Sequence, residues 1–461
     1  MSRVALVGAG NIARVHAEAL RSLQGVRIAA IVDPSEARAA ALARDFGNPP
    51  TFSSAEEAIA ADAFDRAHVL VPPDRHAEIG AALIAAGKPA LLEKPLAHTA
   101  EAARALEEQG RTASVVLGVN QNFVHHPAFL SLQKAIRDGL LGRPRHVGCI
   151  YNVPLRQMAA RQFGHWMFAA PVNLLLEQAV HPLSQIAALV GPIGAVEVAA
   201  EPPCRISAGR SVYPRLDALL AGAELNATLR FAAGESFPLW QLTVVGDDGV
   251  GVADILGNRF YVQGRTRWLE TADNLLSGAR AGAELGAAGV RNGGSYALSM
   301  LRLKPRSDPF YRSMGGSIAA FHAALDAGER PALDASFGAM LVEVCERIAA
   351  RLPAVPAASA APRAATAPAA VDIAVLGGTG FIGAHFVRRC LERGLSAAVM
   401  ARSTSGLPDL FDDPRVTVHR GDIADQAAVA RAIAGAPVVV NLAHGGGGAT
   451  RAAVAAAMAG G

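Results

Sequence analysis

Short apolar runs alternate with stretches of helical periodicity over residues 1–122. Strands are predicted at residues 4–7, 26–32, 67–71 and 90–92, and helices at residues 13–23, 38–45 and 76–86. Short buried strands that alternate with helices are typical of a parallel sheet with right-handed crossover connections. We therefore expect an α/β domain with a parallel sheet over residues 1–122.

The pattern changes from residue 123, where longer strand-like runs replace the short ones. Strands are predicted at residues 146–152, 195–200, 225–231 and 241–245, and two closing helices at residues 318–327 and 336–351. Long strands that follow one another indicate an antiparallel or mixed sheet. Residues 123–351 are predicted to form a second α/β domain.

A segment rich in proline and alanine, residues 352–371, interrupts both patterns. Proline breaks helices, and a segment of this composition cannot form a core, so we expect a linker. After the linker the first pattern returns, with a strand at residues 372–376 and a helix at residues 385–393. Residues 372–461 are predicted to be a partial second domain of the first type.

Composition excludes several classes of protein. Of the 461 residues, 51% are hydrophobic and 18% are charged, which excludes a disordered chain. The 43 basic and 40 acidic residues are interleaved, so we expect neither nucleic acid nor an anionic membrane as partner. Four cysteines without a CxxC pair indicate a reducing compartment. With no secretory signal pattern and no apolar run long enough for a membrane span, a cytoplasmic location is expected.

A glycine-rich turn follows the first predicted strand and opens the first predicted helix. It reads Gly-Ala-Gly-Asn-Ile-Ala over residues 8–13. Such a turn lets the backbone at Gly10 approach a pyrophosphate, and the helix N-terminus offers N–H groups to the phosphates. Asp33, after the second predicted strand, suits a ribose hydroxyl and would repel a 2′-phosphate, which favours NAD over NADP. If Asp33 only caps a helix before Pro34, that preference is lost, so NADP stays possible.

Lys94 follows the predicted strand at residues 90–92. In doubly wound sheets, ligands lie beyond the carboxyl ends of the strands. A lysine at that edge is placed to donate or accept a proton beside a bound cofactor. Pro95 restricts Lys94 to an extended backbone and can adopt the cis form. The alternative is a surface lysine at a strand end.

Four stretches together resemble the Gfo/Idh/MocA oxidoreductase family: residues 8–13, residues 69–76, residues 87–97 with their Glu-Lys-Pro, and the family's fifth-strand turn at residues 118–123. The resemblance covers residues 1–351. It implies a Rossmann domain joined to an α/β domain with an open, mostly antiparallel sheet, and assembly as a dimer or tetramer. It also implies hydride transfer between NAD(P) and a carbinol carbon of a sugar, nucleotide sugar or cyclitol. The cofactor-binding residues that it implies are Gly8, Gly10, Asn11, Ile12, Asp33, Pro72, His76, Glu93, Lys94 and Gln121.

Residues 171–184 match the family's Asp-x-x-x-His-x-x-Asp helix, but without the glycines that precede it. His181 takes the place of the catalytic histidine, Glu177 of the first aspartate and Ser184 of the last. The resemblance implies His181 as general base, Glu177 as the oxygen partner that orients it, and Lys94 as a hydrogen-bond donor to the substrate oxygen. The alternatives are a core or capping histidine, and a cofactor-binding sensor without turnover. No metal is expected, because no third ligand has suitable spacing.

The segment after the linker resembles a second family. A strand leads into Gly-Gly-Thr-Gly-Phe-Ile-Gly at residues 377–383, and residues 399–403, 420–425 and 438–444 follow in order. These elements resemble the extended short-chain dehydrogenases, which include nucleotide-sugar epimerases and dehydratases. The resemblance implies a second nucleotide site, and Arg402 is placed for a 2′-phosphate, which indicates NADP. The residues implied for this site are Gly377, Gly380, Phe381, Ile382, Gly383, Arg402 and Asp422.

The catalytic pair of that second family is missing. Its members use a Tyr-x-x-x-Lys pair, but no tyrosine follows Tyr311 and no lysine follows Lys304. We expect a truncated fusion of two enzymes, with a remnant that only binds nucleotide as the alternative. This second resemblance favours a substrate that belongs to carbohydrate biosynthesis.

Overall fold

The computed structural model describes residues 1–159, 163–207, 210–235, 237–265, 269–301, 303, 306, 308–354, 371–402, 407–423, 425–443 and 455. Its first sheet has six parallel strands in the order β3-β2-β1-β4-β5-β6. The strands are β1 Ser2–Val7, β2 Val26–Val32, β3 Thr51–Phe52, β4 Arg66–Val69, β5 Ala90–Glu93 and β6 Leu117–Asn120. The helices are α1 Asn11–Arg21, α2 Glu36–Asp45, α3 Ala55–Ala60, α4 His76–Ala85 and α5 Ala100–Ala113. The predicted parallel α/β sheet is confirmed.

The strand order creates the binding edge of this sheet. The chain first moves outward from β1 to β3 and then returns to β4 on the other side of β1. A crevice opens at the carboxyl ends of the strands where the direction reverses. The turn that we assigned to a fifth strand follows the sixth, β6, because the two-residue strand β3 was not predicted.

Side-chain caps fix the start of three helices in this first unit. The side chains of Ser35, Ser54 and Thr99 each accept a hydrogen bond from a backbone N–H of the first turn of α2, α3 and α5. Such caps satisfy donors that the helix itself leaves unpaired. Helix α1 begins differently, because Gly10 at its N-cap offers no side chain.

The second sheet has seven strands in the order β15-β14-β13-β7-β12-β11-β8. Only the β7–β12 pairing is parallel among those described, so the predicted mixed, mostly antiparallel sheet is confirmed. Two further strands, β9 and β10, form a small antiparallel pair. The strands are β7 Pro144–Val153, β8 Ile193–Ala200, β9 Cys204–Ser207, β10 Arg210–Val212, β11 Arg215–Gly222, β12 Asn226–Ala233, β13 Leu239–Gly246, β14 Gly249–Asp254 and β15 Arg259–Gly264.

Helices cover one face of this sheet and leave the other open. Alternate residues of β12 are buried and exposed, and Ile150 and Leu219 on the open face are 43% and 49% exposed. The helices are α6 Pro127–Arg137, α7 Arg156–Ala159, α8 Pro171–Leu174, α9 Val180–Val190, α10 Glu270–Met300, α11 Pro309–Asp326 and α12 Ala335–Ala350. Of these, α11 packs on α1 and α12 packs on α5, so the chain returns to the first sheet.

Helix α10, with 31 residues, was not predicted from the sequence. It is rich in glycine and alanine, which weakens the apolar periodicity that marks an amphipathic helix. Its Ala281 and Ala288 are buried, whereas Leu275, Val290 and Met300 are exposed.

The last unit is a sheet of four parallel strands in the order β18-β17-β16-β19. Its strands are β16 Ile373–Leu376, β17 Ala397–Ala401, β18 Val416–Arg420 and β19 Val439–Asn441, and its helices are α13 Phe381–Glu392 and α14 Gln426–Ile433. Most of the predicted linker lies outside the described residues. No helix in the described part of the chain combines the length and apolar character that a membrane crossing requires.

Candidate functional site

The turn between β1 and α1 is shaped to receive phosphates. Gly8 has a φ of +108°, and a Cβ there would lie 2.7 Å from the carbonyl oxygen of Leu70, so only glycine fits. A Cβ on Gly10 would meet no atom within 4 Å, which leaves its backbone open to a ligand. Ala13 is fully buried against the sheet. Asn11 is exposed and Ile12 half-buried at the helix N-terminus, which carries a partial positive charge. The turn therefore fits a dinucleotide pyrophosphate.

Asp33 follows β2 beside this turn and is 5% exposed. Its carboxylate accepts hydrogen bonds from the backbone N–H groups of Ala9 (2.9 Å) and Ser35 (2.8 Å), and from the guanidinium of Arg38 (2.8 Å). Burial alone would raise the pKa of Asp33, but these hydrogen bonds outweigh it and lower the pKa. The helix cap is Ser35 rather than Asp33, so the capping alternative for Asp33 is wrong.

Lys94 lies at the carboxyl edge of β5 and is not a surface lysine. Its side chain is 15% exposed, and its Nζ lies 3.0 Å from Glu177 Oε2 and 3.1 Å from the Glu177 carbonyl oxygen. The Lys94–Pro95 peptide bond is cis. The first sheet and the helix from the second unit therefore meet in an ion pair, and the surface alternative for Lys94 is wrong.

Glu177 sits in a π-helical turn, Leu175–Ala179, which joins α8 to α9. A π-turn is wider than an α-turn and is often found at functional sites. We expected Glu177 to orient His181 from an ordinary i,i+4 position. The structure instead places the Glu177 carboxylate on Lys94. The π-turn interrupts the 3.6-residue period on which the expectation depended.

His181 is the second residue of α9, and its Nδ1 is buried without a hydrogen-bond partner among the described residues. Its ring packs edge-on against Phe123, with centroids 4.9 Å apart. Burial, reinforced by the positive charge of Lys94, lowers the pKa of His181 well below its ordinary value. The ring is neutral at pH 7 and can accept a proton. Ser184 donates its hydroxyl to the His181 carbonyl oxygen at 2.7 Å, so it acts within the helix rather than as a replacement carboxylate.

Gln121 follows β6 at the same edge and is 1% exposed. Neither its Oε1 nor its Nε2 has a partner in the described structure, and Asn120 Oδ1 is also unpaired. Buried polar groups are nearly always hydrogen-bonded, so a cluster of unpaired ones marks a place where a ligand would supply the partners. This cluster lies beside Glu93 and fits the nicotinamide end of a dinucleotide.

Two predicted cofactor residues have supporting positions. His76 is fully buried, with Nε2 2.9 Å from the Val71 carbonyl oxygen and Nδ1 3.0 Å from that of Pro95. It ties the loop after β4 to the loop after β5. Pro72 is exposed and precedes a short 3-10 helix, Pro73–Arg75.

Sequence reasoning missed an aromatic cluster around His181. Tyr151 and Trp240 are register partners on β7 and β13, with ring centroids 4.6 Å apart, and Trp240 lies 4.4 Å from Phe123. Tyr151 donates its hydroxyl to Gln178 Oε1 at 3.2 Å. No local motif joins these residues, because they meet only through strand pairing.

The last unit has a tighter glycine turn. Gly377 has a φ of +79°, and a Cβ there would lie 2.5 Å from the Ala443 nitrogen. A Cβ on Gly383 would lie 2.2 Å from the Gly377 carbonyl oxygen, so α13 passes very close to the turn. Gly380 is the N-cap of α13, which begins at Phe381, and Ile382 is 67% exposed. The remaining predicted residues follow strand ends and are exposed: Arg402 after β17 and Asp422 after β18.

The described residues contain no group of three or more histidine, cysteine, aspartate or glutamate side chains arranged to hold a metal ion. The described cysteines Cys149, Cys204, Cys345 and Cys390 are not in disulfides.

Two known protein families match the parts of the chain that contain the two glycine turns. Residues 2–121 match the Gfo/Idh/MocA oxidoreductase family, described as an NAD-binding Rossmann fold. Residues 377–461 match a family described as NAD(P)H-binding. The predicted NAD-binding oxidoreductase domain and a second NAD(P)-binding domain are thereby confirmed.

Individual relatives align with about a third of the chain. The chain is 35% identical over 144 residues to 1,5-anhydro-D-fructose reductase of Ensifer adhaerens, covering 31% of this chain and 43% of that protein. It is 34% identical over 144 residues to inositol 2-dehydrogenase of Corynebacterium glutamicum, covering 30% of this chain and 42% of that protein. The alignments span less than half the length of these relatives.

A solved structure extends the likeness of fold to the second unit. Levoglucosan dehydrogenase, solved in complex with NADH and levoglucosan, aligns with a TM-score of 0.62 at 19% identity. The alignment covers 76% of this chain and 96% of that chain. The predicted two-unit fold is therefore confirmed.

Proposed function

We propose that the chain is an NAD(P)-dependent oxidoreductase that transfers hydride to or from a carbinol carbon of a sugar, nucleotide sugar or cyclitol. One observation carries the proposal. At the edge of an NAD-binding sheet, the half-buried ion pair Lys94–Glu177 lies near a neutral His181 whose Nδ1 is buried. This places a cation and a base where ligands of such sheets bind.

The first glycine turn and Asp33 would hold NAD, and Gln121 would face its nicotinamide end. When bound, NAD supplies the hydride acceptor for the carbinol carbon. Asp33 is an ionised acceptor suited to a ribose hydroxyl, which supports NAD over NADP at this site.

The roles of the side chains follow from their charges. His181 takes the hydroxyl proton on its neutral ring, which can accept one. Lys94 donates a hydrogen bond to the same substrate oxygen and stabilises its developing negative charge. Glu177 holds the Lys94 ammonium at 3.0 Å and so fixes the direction of that donor. The half-buried ring of Phe123 and the buried ring of Trp240 shield the base from water.

The names of similar proteins support the proposed substrate class. They are 1,5-anhydro-D-fructose reductase, inositol 2-dehydrogenase and levoglucosan dehydrogenase. We further propose that the protein is cytoplasmic and that it forms homo-oligomers through the open face of its second sheet. For the last domain we propose a nucleotide-binding unit of the extended short-chain dehydrogenase type, with NADP as its cofactor.

The test is turnover by the full chain with NAD⁺ or NADP⁺ and a panel of sugars and cyclitols, followed by NADH fluorescence. Lys94→Met should lower kcat by about 10²–10³-fold, since it removes a donor to the developing oxyanion, while NADH affinity changes little. Lys134→Met is the matched control, because the Lys134 side chain is 69% exposed and pairs with Asp138 at the C-terminal end of its helix. Cofactor binding without turnover of any substrate, or equal kcat in both variants, would contradict the proposal and favour a sensor.

A further inference from the structure

Three buried histidines form a line from the end of β5 toward the surface of the first domain. His16 on α1, His68 on β4 and His322 on α11 are each at most 2% exposed. His16 Nδ1 lies 2.9 Å from His68 Nδ1, and His68 Nε2 lies 3.1 Å from His322 Nε2. At these distances one nitrogen donates and the other accepts. The three rings, called here the histidine chain, are therefore connected without a break.

The histidine chain ends in a carboxylate on the inside and a guanidinium on the outside. His16 Nε2 lies 2.8 Å from Glu93 Oε1, and Glu93 is 14% exposed. Arg66 Nη1 lies 3.3 Å from His322 Nδ1, and its Nη2 donates to Asp326 at 2.5 Å. Asp326 is 57% exposed. The chain thus connects a solvent-facing ion pair with a carboxylate at the candidate site.

The cation at the outer end fixes the direction of every hydrogen bond. A guanidinium can only donate, so His322 must accept at Nδ1 and carry its proton on Nε2. His68 then accepts at Nε2 and donates from Nδ1. His16 accepts at Nδ1 and donates from Nε2 to Glu93. In this arrangement every ring is neutral and every ring nitrogen is paired, whereas the reverse direction sets an N–H of His322 against an N–H of Arg66.

The surroundings keep the rings of His68 and His322 neutral. Burial lowers the pKa of His68 well below its ordinary value, and charge on either neighbouring histidine lowers it further. Burial and the charge of Arg66 lower the pKa of His322 to about 4, although Asp326 opposes this. An added proton is therefore disfavoured on His68 and His322 at neutral pH.

The inner carboxylate connects two strand ends. Glu93 accepts from His16, from Asn120 Nδ2 at 2.6 Å and from the backbone N–H of Lys94 at 3.2 Å. Burial alone would raise the pKa of Glu93, but the hydrogen bond from His16 together with any charge on that ring, the hydrogen bond from Asn120 and the charge of Lys94 lower it. An ionised Glu93 therefore holds the ends of β5 and β6 together at the backbone that carries Lys94.

We propose that Arg66 and the histidine chain are positioning residues: their single donor direction delivers one N–H to Glu93 and holds that carboxylate ionised between Lys94 and Asn120. The effect on catalysis rests on the proposed function of the site. The tautomers of the three rings do not, and they can be measured whether or not a substrate is known.

The first measurement is ¹⁵N NMR of the full chain labelled at histidine, with each ring assigned by single replacement. We expect the proton on Nε2 of His16 and His322 and on Nδ1 of His68 at pH 7. In Arg66→Met the positive neighbour is gone, so His322 should titrate at higher pH and the fixed pattern should be lost. Arg66→Lys keeps a cationic donor and should restore the pattern. A charged ring at pH 7 in the parent protein, or an unchanged pattern in Arg66→Met, would overturn the proposal.

The second measurement is the pH profile of turnover. Arg66→Met should lower kcat about fivefold, the factor that one ordinary hydrogen bond contributes, and move the acid limb to higher pH. NADH affinity should stay the same, and Arg66→Lys should recover kcat. Arg104→Met is the control, because Arg104 pairs with Glu107 on α5 and Glu343 on α12, and neither belongs to the histidine chain.

The two proposals fail in different ways. The expected tautomers with no turnover of any substrate would contradict the proposed function and support the direction of the histidine chain. The expected tautomers with kcat unchanged in Arg66→Met would overturn the positioning role.

Discussion

The first and last domains each carry a glycine-rich turn between a strand and a helix. The two turns differ in the space that they leave for a side chain. In the first, the space above Gly10 is open and the third small position is the buried Ala13. In the last, a Cβ on Gly380 would lie 3.3 Å from the Gly377 carbonyl oxygen, and one on Gly383 only 2.2 Å from the same atom. The last turn therefore needs glycine at the position where the first accepts alanine.

The two domains differ more in what lies beyond their strand ends. In the first, Lys94 meets Glu177, a residue from a helix of the second unit, and His181 lies one turn further along. In the last, the predicted residues Arg402 and Asp422 are exposed after their strands. A phosphate turn alone supplies binding, whereas the chemistry requires groups brought to it by another part of the chain.

The largest effect is expected at His181, the general base that we propose for the first site and for which we propose no counterpart in the last domain. His181→Asn should lower kcat by about 10²–10⁴-fold, since it removes the proposed general base. A base must be unprotonated, so activity rises with pH through its pKa. Burial and Lys94 lower that pKa, and the acid limb of kcat should therefore lie below pH 6.5, the ordinary histidine value.

The control for this variant is His146→Asn, because His146 is a half-buried histidine on β7 whose Nε2 lies 3.1 Å from Thr228 Oγ1. Both variants should bind NADH, and binding at the last domain should be unaffected. An acid limb above pH 6.5, or a kcat for His181→Asn equal to that of the control, would refute the role of His181.

An intermediate effect is expected at the two glycine turns. Gly10→Ala places a methyl group in open space, so the fold should be kept while NADH affinity falls about tenfold or more, as phosphate contacts worth at least 1.4 kcal/mol are lost. Gly383→Ala places its methyl group against backbone atoms, so the free energy of unfolding of the last domain should fall by about 1–3 kcal/mol. Calorimetry measures both.

Gly278→Ala is the control for both variants, because Gly278 lies in α10 with nothing near its Cβ position. It should change neither NADH affinity nor the unfolding of the last domain. Loss of stability in Gly10→Ala with unchanged affinity would show that the open space in the first turn is not a phosphate site.

These differences also explain which features of the structure could be predicted from the sequence. Local signals predicted the parallel sheet, the turn at residues 8–13 and Lys94, because each depends on residues close together in the chain. The Lys94–Glu177 pair required the π-turn, which no local pattern of apolar residues marks. The pairing of Tyr151 with Trp240 required the register of two distant strands.

The histidine chain illustrates the same limit. His16, His68 and His322 come from three separate elements, and each alone resembles a buried core histidine. Only the distances between their rings reveal a connected path. Sequence reasoning also missed α10, since its glycines and alanines form a helix whose apolar side chains remain mostly exposed.

The smallest effect is expected for the choice between NADH and NADPH, which tests whether the two turns bind different cofactors. Asp33→Ser removes the carboxylate that repels a 2′-phosphate and releases Arg38, so the preference of the first site for NADH should fall about tenfold, as expected for loss of one such contact. Arg402→Ser should weaken NADPH at the last domain to a similar extent. Binding there is measured in the Gly10→Ala background, so that the signal comes from the last domain.

The matched controls for cofactor choice are exposed ion pairs of the same residue types. Asp45→Ser removes a partner of Arg14, and Arg389→Ser removes a partner of Glu392. Both should leave the two preferences unchanged, because neither side chain follows a strand end at a glycine turn. If Asp33→Ser keeps the NADH preference, then the Asp33 carboxylate, already held by Ala9, Ser35 and Arg38, only shapes the turn and does not choose the cofactor.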